Sequence, residues 1–162
     1  MSTMKRSTVL TALAGIVLAG PAAAGAAVTR VGHVTHSDAD WRKLLTPEAY
    51  QVLRHEGTER PFSSPLDEEK RAGTYFCAGC DLALFSSKTK FDSGTGWPSF
   101  WQPLPNAVNT HHDSSLFMDR IAVTCARCDG HLGHVFDDGP KPTGLRYCMN
   151  GVALRFRPGR AA

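Results

Sequence analysis

The sequence predicts a mainly β domain with antiparallel strands and short N-terminal helices. Beyond Gly73, short apolar or alternating runs recur at close spacing and are separated by glycine, proline, asparagine and aspartate, a rhythm typical of antiparallel β-structure. A helix-start pattern lies upstream of this region, and two C-x-x-C pairs lie within it. The length of 162 residues favours one domain with a hydrophobic core.

Residues 1–26 have the layout of a secretory signal peptide. Lys5 and Arg6 precede an apolar run from Val9 to Ala19, and a tract of small residues with A-x-A sites follows. The run is shorter than the roughly 20 residues of a membrane-spanning helix, so we expect cleavage and no stable membrane insertion. We therefore predict a signal peptide over 1–26 and one domain over 27–162, with export to the periplasm.

The predicted mature chain is nearly neutral. Loss of Lys5 and Arg6, together with no acidic residue, lowers the formal charge from +3 to +1. No block of like charge remains, which argues against a nucleic-acid partner or an electrostatic attraction to membranes. We expect a monomer.

One helix is predicted to begin at Thr46. This threonine suits the N-cap, Pro47 suits the first helical position, Leu53 continues an apolar face, and Gly57 suits the end. The charged, turn-rich segment 61–72 that follows is expected to lie on the surface.

The strand candidates follow that surface segment. They are TYFC, LALF, PSFW, AVNT, LFMDRIAVTC, HLGHVF, LRYCM and VALRF. The Asn150-Gly151 pair between the last two predicts a hairpin with a two-residue turn.

Four of the five cysteines form the pairs Cys77/Cys80 and Cys125/Cys128, each followed by aspartate. A C-x-x-C turn presents two sulfurs to one point, and two such turns can complete a tetrahedral zinc site. Because 44 residues separate the two pairs, the chain between them must fold to bring them together. The bound metal would then link distant parts of the domain. Two structural disulfides, or a redox-active C-x-x-C, are the alternatives.

The fifth cysteine, Cys148, lies in a predicted strand. The two-residue period of a strand places Arg146, Cys148 and Asn150 on one face. A guanidinium beside a thiol favours the thiolate, which is the nucleophile. The alternative is that Cys148 is a small buried apolar residue.

Histidines and carboxylates cluster upstream in HLGHVFDD, residues 131–138. His131 or His134 could supply a proton to a leaving oxygen. Because residues three apart point to opposite sides of a regular strand, both can face one site only if the chain bends at Gly133. As alternatives, the histidines could be hydrogen-bonded core residues or metal ligands.

A third element is FDSGTGWPSFW, residues 91–101. Its glycine-rich turn could offer the Trp97 indole to an apolar group, although aromatic clusters of this kind also occur in cores.

Together these elements resemble the B-type methionine sulfoxide reductases, which reduce the R epimer of methionine sulfoxide and so repair oxidised proteins. The resemblance spans about Trp41 to Pro158, and its motifs CAGC, KFDSGTGWPSF, CARCDGHLGHVFDDGP, PTGLRYCMN and LRF occur in family order.

The resemblance implies two small antiparallel sheets and one structural zinc. It also implies a role for each site residue: zinc ligation by Cys77, Cys80, Cys125 and Cys128, nucleophilic attack by Cys148, a methyl pocket walled by Trp97, a sulfoxide site lined by His131, His134 and Asn150, and electrostatic tuning by Asp138 and Arg146. Of the two histidines, His134 is the better candidate for proton delivery.

The implied reaction leaves Cys148 as a sulfenic acid without flavin or nicotinamide. Many family members carry a second, resolving cysteine where this chain has Thr95. We therefore expect an external thiol to act as reductant, such as a thioredoxin-like domain, a glutaredoxin or a small thiol. A zinc-ribbon binding module and a family scaffold without turnover are the competing functions.

Overall fold

The structure is a computed structural model that describes residues 31–114 and 119–162. The predicted signal peptide over 1–26 lies outside the described residues.

Two short helices open the described part of the chain. Helix α1, Asp38–Leu44, begins after Ser37, whose side chain accepts a hydrogen bond from the Asp40 N–H. Helix α2, Pro47–His55, begins after Thr46, which caps it in the same way. The predicted helix start at Thr46 is therefore confirmed.

The end of α2 differs in detail from the expectation. Glu56, and not Gly57, takes the left-handed conformation, with φ 56°. Gly57 is needed for a close approach instead, because a Cβ at this position would lie 3.0 Å from the Gln51 carbonyl oxygen. In the part of the chain that the structure describes, no helix is long and apolar enough to cross a membrane.

Nine strands follow within the described residues. They are β1 Gly73–Cys77, β2 Ala83–Ser86, β3 Lys90–Phe91, β4 Ser99–Phe100, β5 Val108–Asp113, β6 Arg120–Cys125, β7 His131–Phe136, β8 Arg146–Met149 and β9 Leu154–Pro158. One sheet has the order β2-β1-β9 and the other the order β3-β4-β8-β7-β6-β5. All pairings are antiparallel, so the predicted fold of two antiparallel sheets with short N-terminal helices is confirmed.

An aromatic cluster joins the two sheets. Phe85 of β2 stacks on Phe100 of β4 at 4.4 Å between ring centroids, and Tyr75 of β1 meets Phe100 edge-on at 4.9 Å. All three side chains are fully buried. Their burial fixes the small sheet against β4, the strand that pairs directly with β8.

The predicted Asn150-Gly151 hairpin is wrong. Strands β8 and β9 belong to different sheets, and a 3₁₀ turn at Gly151–Ala153 separates them. Asn150 has φ −67° and ψ 123°, whereas a type I′ hairpin turn requires positive φ. Its side chain instead donates to the Leu132 carbonyl and accepts from the Glu59 N–H, so long-range bonds override the local turn preference.

Candidate functional site

The four paired cysteines come together in one cluster. Their sulfurs all lie within 4.8 Å of one another, with 3.7 Å from Cys77 to Cys128 and 3.5 Å from Cys80 to Cys125. A disulfide requires about 2 Å, whereas tetrahedral zinc with Zn–S bonds of about 2.3 Å places its sulfurs about 3.8 Å apart. The cluster therefore fits a tetrahedral metal ion.

The two C-x-x-C-D elements fold alike. Cys77 ends β1 and Cys125 ends β6, and in each turn the following aspartate, Asp81 or Asp129, is left-handed and donates its N–H to the first cysteine's carbonyl at 2.9 Å. Such a turn points both sulfurs to one side. Hydrogen bonds from Cys128 and Cys77 lower the pKa of Cys125, because the crowded thiols share their protons.

Cys148 lies in the centre of the six-stranded sheet. It is directly opposite Ser99 on β4 and His134 on β7. Directly opposite residues of neighbouring strands point to the same face, so the thiol lies between a hydroxyl and an imidazole. Its sulfur is 3.9 Å from the Thr95 hydroxyl oxygen.

Burial raises the pKa of the Cys148 thiol above its ordinary value. A hydrogen bond with Thr95 and the positive charge of Arg146 act in the opposite direction. The expectation that Arg146 favours the thiolate therefore holds for its own contribution, but burial outweighs it.

Arg146 and Asp138 form a two-bond ion pair. The guanidinium Nε and Nη2 donate to the two carboxylate oxygens at 2.8 Å each. These bonds lower the pKa of Asp138, and the guanidinium carbon lies 4.4 Å from the centre of the Phe136 ring. The ion pair holds the Arg146 guanidinium in place, on the same strand as Cys148 and two residues away from it.

Both histidines face one side of the sheet because β7 contains a bulge. Val123 of β6 pairs with Gly133 but Thr124 pairs with His131, so one residue of β7 is unpaired and the alternation is reset. The two imidazole rings meet at 5.2 Å between centroids. The predicted bend at Gly133 is present, and a Cβ there would lie 2.1 Å from the Cys148 carbonyl oxygen.

The two histidines differ in their surroundings. His131 is 3% exposed, its ring nitrogens have no hydrogen-bond partner among the described residues, and burial lowers its pKa to about 4. His134 instead contacts Asp113, with 2.8 Å between Nε2 and Oδ2, and the same carboxylate oxygen accepts from Arg120 at 2.8 Å. Of the two rings, His134 is the one in direct contact with a carboxylate.

An open pocket of about 130 Å³ lies over Cys148. Its lining consists of Thr58, Trp97, Arg120, Gly133, His134, Phe136, Cys148 and Asn150. The pocket thus combines a thiol, an imidazole and two aromatic surfaces.

The structure therefore brings together the predicted Trp97, His134, Cys148 and Asn150 at the pocket itself. His131, Arg146 and Asp138 are not part of that lining. The four paired cysteines form a separate cluster.

Glu59 is an organising residue that the sequence analysis missed. Its carboxylate accepts from the Gly151 and Val152 N–H groups at 2.6 and 2.9 Å, and its carbonyl accepts from the Trp97 indole at 3.2 Å. Its own N–H donates to the Asn150 side chain at 2.9 Å. One residue therefore fixes both sides of the pocket.

Asp113 and Arg120 were also missed. They lie opposite each other, Asp113 at the end of β5 and Arg120 at the start of β6. The predicted strand AVNT ends three residues before Asp113, whereas β5 includes it. Extending the alternation of β5 would have indicated the pair. No local signal marks Glu59, because its partners are 38 to 93 positions away in the chain.

The chain is similar to known proteins over most of its length. The SelR domain matches residues 45–158. The peptide methionine sulfoxide reductase MsrB of Agrobacterium fabrum is 57% identical over 126 residues, which cover 77% of this chain and 93% of the relative. The proteins of the same name from Pseudomonas putida and Methanosarcina mazei are 61% identical over 120 residues and 57% over 124. These matches cover 74% and 76% of this chain and 90% and 89% of the relatives.

Proposed function

The chain belongs to the B-type peptide methionine sulfoxide reductases, and from that premise we propose that it reduces methionine-R-sulfoxide residues in proteins to methionine. The observation that supports this best is that Cys148, which lies opposite His134 and Ser99 in the sheet, lines one pocket together with His134 and Trp97. A soft nucleophile, a proton carrier and an apolar surface are what sulfoxide reduction needs.

In the proposed first step, the Cys148 sulfur attacks the sulfoxide sulfur. An S–S bond forms between the two sulfurs and the substrate oxygen takes up a proton. The hydroxyl then passes to the Cys148 sulfur as the S–S bond and the substrate S–O bond break, so methionine leaves and Cys148 remains as a sulfenic acid. The substrate sulfur gains two electrons and the Cys148 sulfur loses two. No flavin or nicotinamide is required.

His134 supplies the proton movement in this proposal. Because the pKa of Cys148 is raised, its thiol is protonated before the substrate binds. His134 takes this proton on Nδ1, since Nε2 faces Asp113, and returns it to the sulfoxide oxygen as the S–S bond forms. The protonated imidazole that forms in between is stabilised by the Asp113 carboxylate.

Stereospecificity in this proposal comes from three contacts with the substrate. The Cys148 thiol attacks the sulfur, Trp97 offers an apolar surface to the ε-methyl group, and His134 delivers the proton to the oxygen; all three residues line the pocket. A chiral sulfur can satisfy all three in one configuration only. The choice of the R epimer is supported by membership of the B-type family.

We propose that the sulfenic acid is reduced by an external thiol. Thr95 lies 3.9 Å from the Cys148 sulfur, in the position of a resolving cysteine, and the remaining four cysteines are clustered at the metal site. Two external thiols would return Cys148 to the thiol, release water and form their own disulfide. A thioredoxin-like protein, a glutaredoxin or a small thiol has this chemistry.

The four clustered cysteines would hold one zinc ion. Zinc has no redox chemistry and suits four thiolates, so it would clip the turn after β1 to the turn after β6. We further propose that the chain is exported to the periplasm as a monomer. That proposal is supported by the amino-acid pattern of residues 1–26.

The test is reduction of separated R and S epimers of dabsylated methionine sulfoxide, with dithiothreitol as reductant. We expect turnover of the R epimer alone and its loss in Cys148→Ser. Mass spectrometry after oxidation without reductant should show a sulfenic acid on Cys148. Absence of turnover from zinc-loaded, reduced protein would indicate a scaffold that retains the motif without its chemistry, and a disulfide between Cys148 and another cysteine of the chain would overturn the external-thiol step.

A further inference from the structure

Phe62 is an exposed aromatic residue in a strained conformation. Its side chain is 70% exposed, and its backbone has φ 60°, in the left-handed region. Bulky residues rarely take this conformation, and where they do, the surrounding structure must hold them there. An exposed ring gains little from burial, so packing stability does not account for it.

Two contacts hold Phe62 in place. Its N–H donates to the Gly96 carbonyl oxygen at 2.7 Å. A Cβ built on Gly96 would lie 2.8 and 2.9 Å from two carbons of the Phe62 ring, so the ring lies directly over this glycine. Gly96 itself has φ 88°, a second reason for glycine at this position.

This position places the ring beside the reactive pocket. Gly96 stands between Thr95, whose hydroxyl is 3.9 Å from the Cys148 sulfur, and Trp97, which lines the pocket. The segment that carries Phe62 also supplies Thr58 to the pocket lining and is fixed to Trp97 through the Glu59 carbonyl. Phe62 is therefore anchored to the rim and presents its free surface to solvent.

The size of the pocket determines what must lie on that rim. About 130 Å³ accommodates the sulfoxide end of one side chain, so the backbone and neighbouring residues of a polypeptide substrate must cross the surface outside it. An apolar side chain next to the oxidised methionine would then meet the exposed ring.

We propose that Phe62 is a specificity-determining residue that contacts an apolar side chain flanking methionine sulfoxide in a polypeptide substrate. The proposal rests on the proposed function, because it assigns the same pocket a substrate larger than the free amino acid. It predicts a preference for peptides in which the oxidised methionine is flanked by leucine or an aromatic residue over those flanked by serine.

The test compares three substrates: N-acetyl methionine-R-sulfoxide amide and two hexapeptides that differ only in leucine or serine beside the oxidised methionine. In Phe62→Ala we expect kcat/KM for the leucine peptide to fall about fivefold to tenfold, chiefly through KM, as burial of part of a ring implies. The small amide and the serine peptide should change less than twofold. Leu44→Ala is the matched control, since Leu44 is also exposed, at 51%, and lies at the end of α1.

The variant Phe62→Gly separates a structural role of Phe62 from a substrate contact, because it removes the ring and also relieves the left-handed strain. We expect its melting temperature to be unchanged or higher, while kcat/KM for the leucine peptide stays as low as in Phe62→Ala. An equal loss on all three substrates would show that Phe62 only positions Trp97, and no loss on the leucine peptide would overturn the contact.

The contact can also be tested without turnover. In the Cys148→Ser background, binding of the leucine peptide should be weakened about fivefold to tenfold by Phe62→Ala, and binding of the serine peptide should not. If wild-type protein fails to reduce even the small amide, the proposed function fails, but this binding difference still decides for or against the role of Phe62.

Discussion

The metal cluster and the reactive pocket are built from cysteines in opposite ways. At the cluster, each C-x-x-C-D turn fixes two sulfurs within five residues, with the same hydrogen bond and the same left-handed aspartate in both copies. At the pocket, Cys148 depends on strands β4 and β7, a bulge, and a loop more than 80 positions away. The cluster is therefore built from two local turns of the same design, whereas each part of the pocket depends on a different segment of the chain.

Replacement of a cluster cysteine should have the largest effect on folding. In Cys125→Ser we expect loss of metal and a loss of several kcal/mol in the free energy of unfolding, because metal binding contributes directly to folding in such sites. Metal content and thermal unfolding measure this. Cys148→Ser is the matched control, with the same atomic change, and should keep both the metal and the melting temperature. A folded, stable Cys125→Ser protein would contradict the division between the two regions.

At low pH, His131 near the pocket should make the stability of the protein depend on pH. Burial lowers the pKa of His131 to about 4, from an ordinary 6.5, so the unfolded chain binds its proton first as the pH falls. Stability is then unaffected above about pH 6.5 and is lost progressively between 6.5 and 4, by up to about 3 kcal/mol.

The measurement is urea unfolding at pH 7.5 and pH 4.5 for wild type and His131→Phe. Phenylalanine cannot titrate, so the variant should lose less stability over this interval than wild type, whatever its stability at pH 7.5. Because metal release in acid affects both proteins, only the difference between them reports on His131. If wild type and His131→Phe lose the same free energy of unfolding between pH 7.5 and pH 4.5, the lowered pKa of His131 is contradicted.

Glu59 connects stability and the pocket. Replacement by glutamine keeps the shape but removes the charge that accepts from the Gly151 and Val152 N–H groups, and turns an amide group towards one of them. We expect the free energy of unfolding to fall by about 2 kcal/mol, and turnover to fall with it because Trp97 and Asn150 depend on this loop.

Glu68→Gln provides the control for that replacement. Glu68 is exposed and its carboxylate is 3.9 Å from the Lys70 ammonium, a weak surface pair. Its replacement should change stability by less than about 0.5 kcal/mol. Equal effects from the two variants would show that the charge of Glu59 is not important.

The sequence could predict features that short patterns carry. The two-residue period of β8 places Cys148 on the face that lines the pocket, as expected. The bend at Gly133 was predicted because two histidines needed it. The metal cluster was predicted because each C-x-x-C turn is itself a recognisable unit, although the two turns lie far apart in the chain.

The larger failures involve partners that are distant in the chain. Asn150-Gly151 has the local pattern of a hairpin, but bonds to Leu132 and Glu59 place the two following strands in different sheets. The strained backbone of Phe62 is likewise set by Gly96, 34 positions away. Local sequence cannot indicate a conformation that is stabilised by such contacts.

Asp113 gives the smallest and most specific prediction. In Asp113→Asn the amide can still accept from His134, but it stabilises a protonated imidazole less than a carboxylate does. We expect kcat/KM to fall about tenfold, which corresponds to about 1.4 kcal/mol of transition-state stabilisation. Stability should change little, because the amide keeps the contact with His134.

Comparing turnover with stability separates proton transfer from simple support of the sheet. Urea unfolding and kcat/KM are measured for wild type and Asp113→Asn. Asp119→Asn makes the same change at an exposed carboxylate, 3.4 Å from His112, and should leave both quantities unaltered. A loss of turnover matched by a large loss of stability would mean that Asp113 only holds the strands β5 and β6 in register.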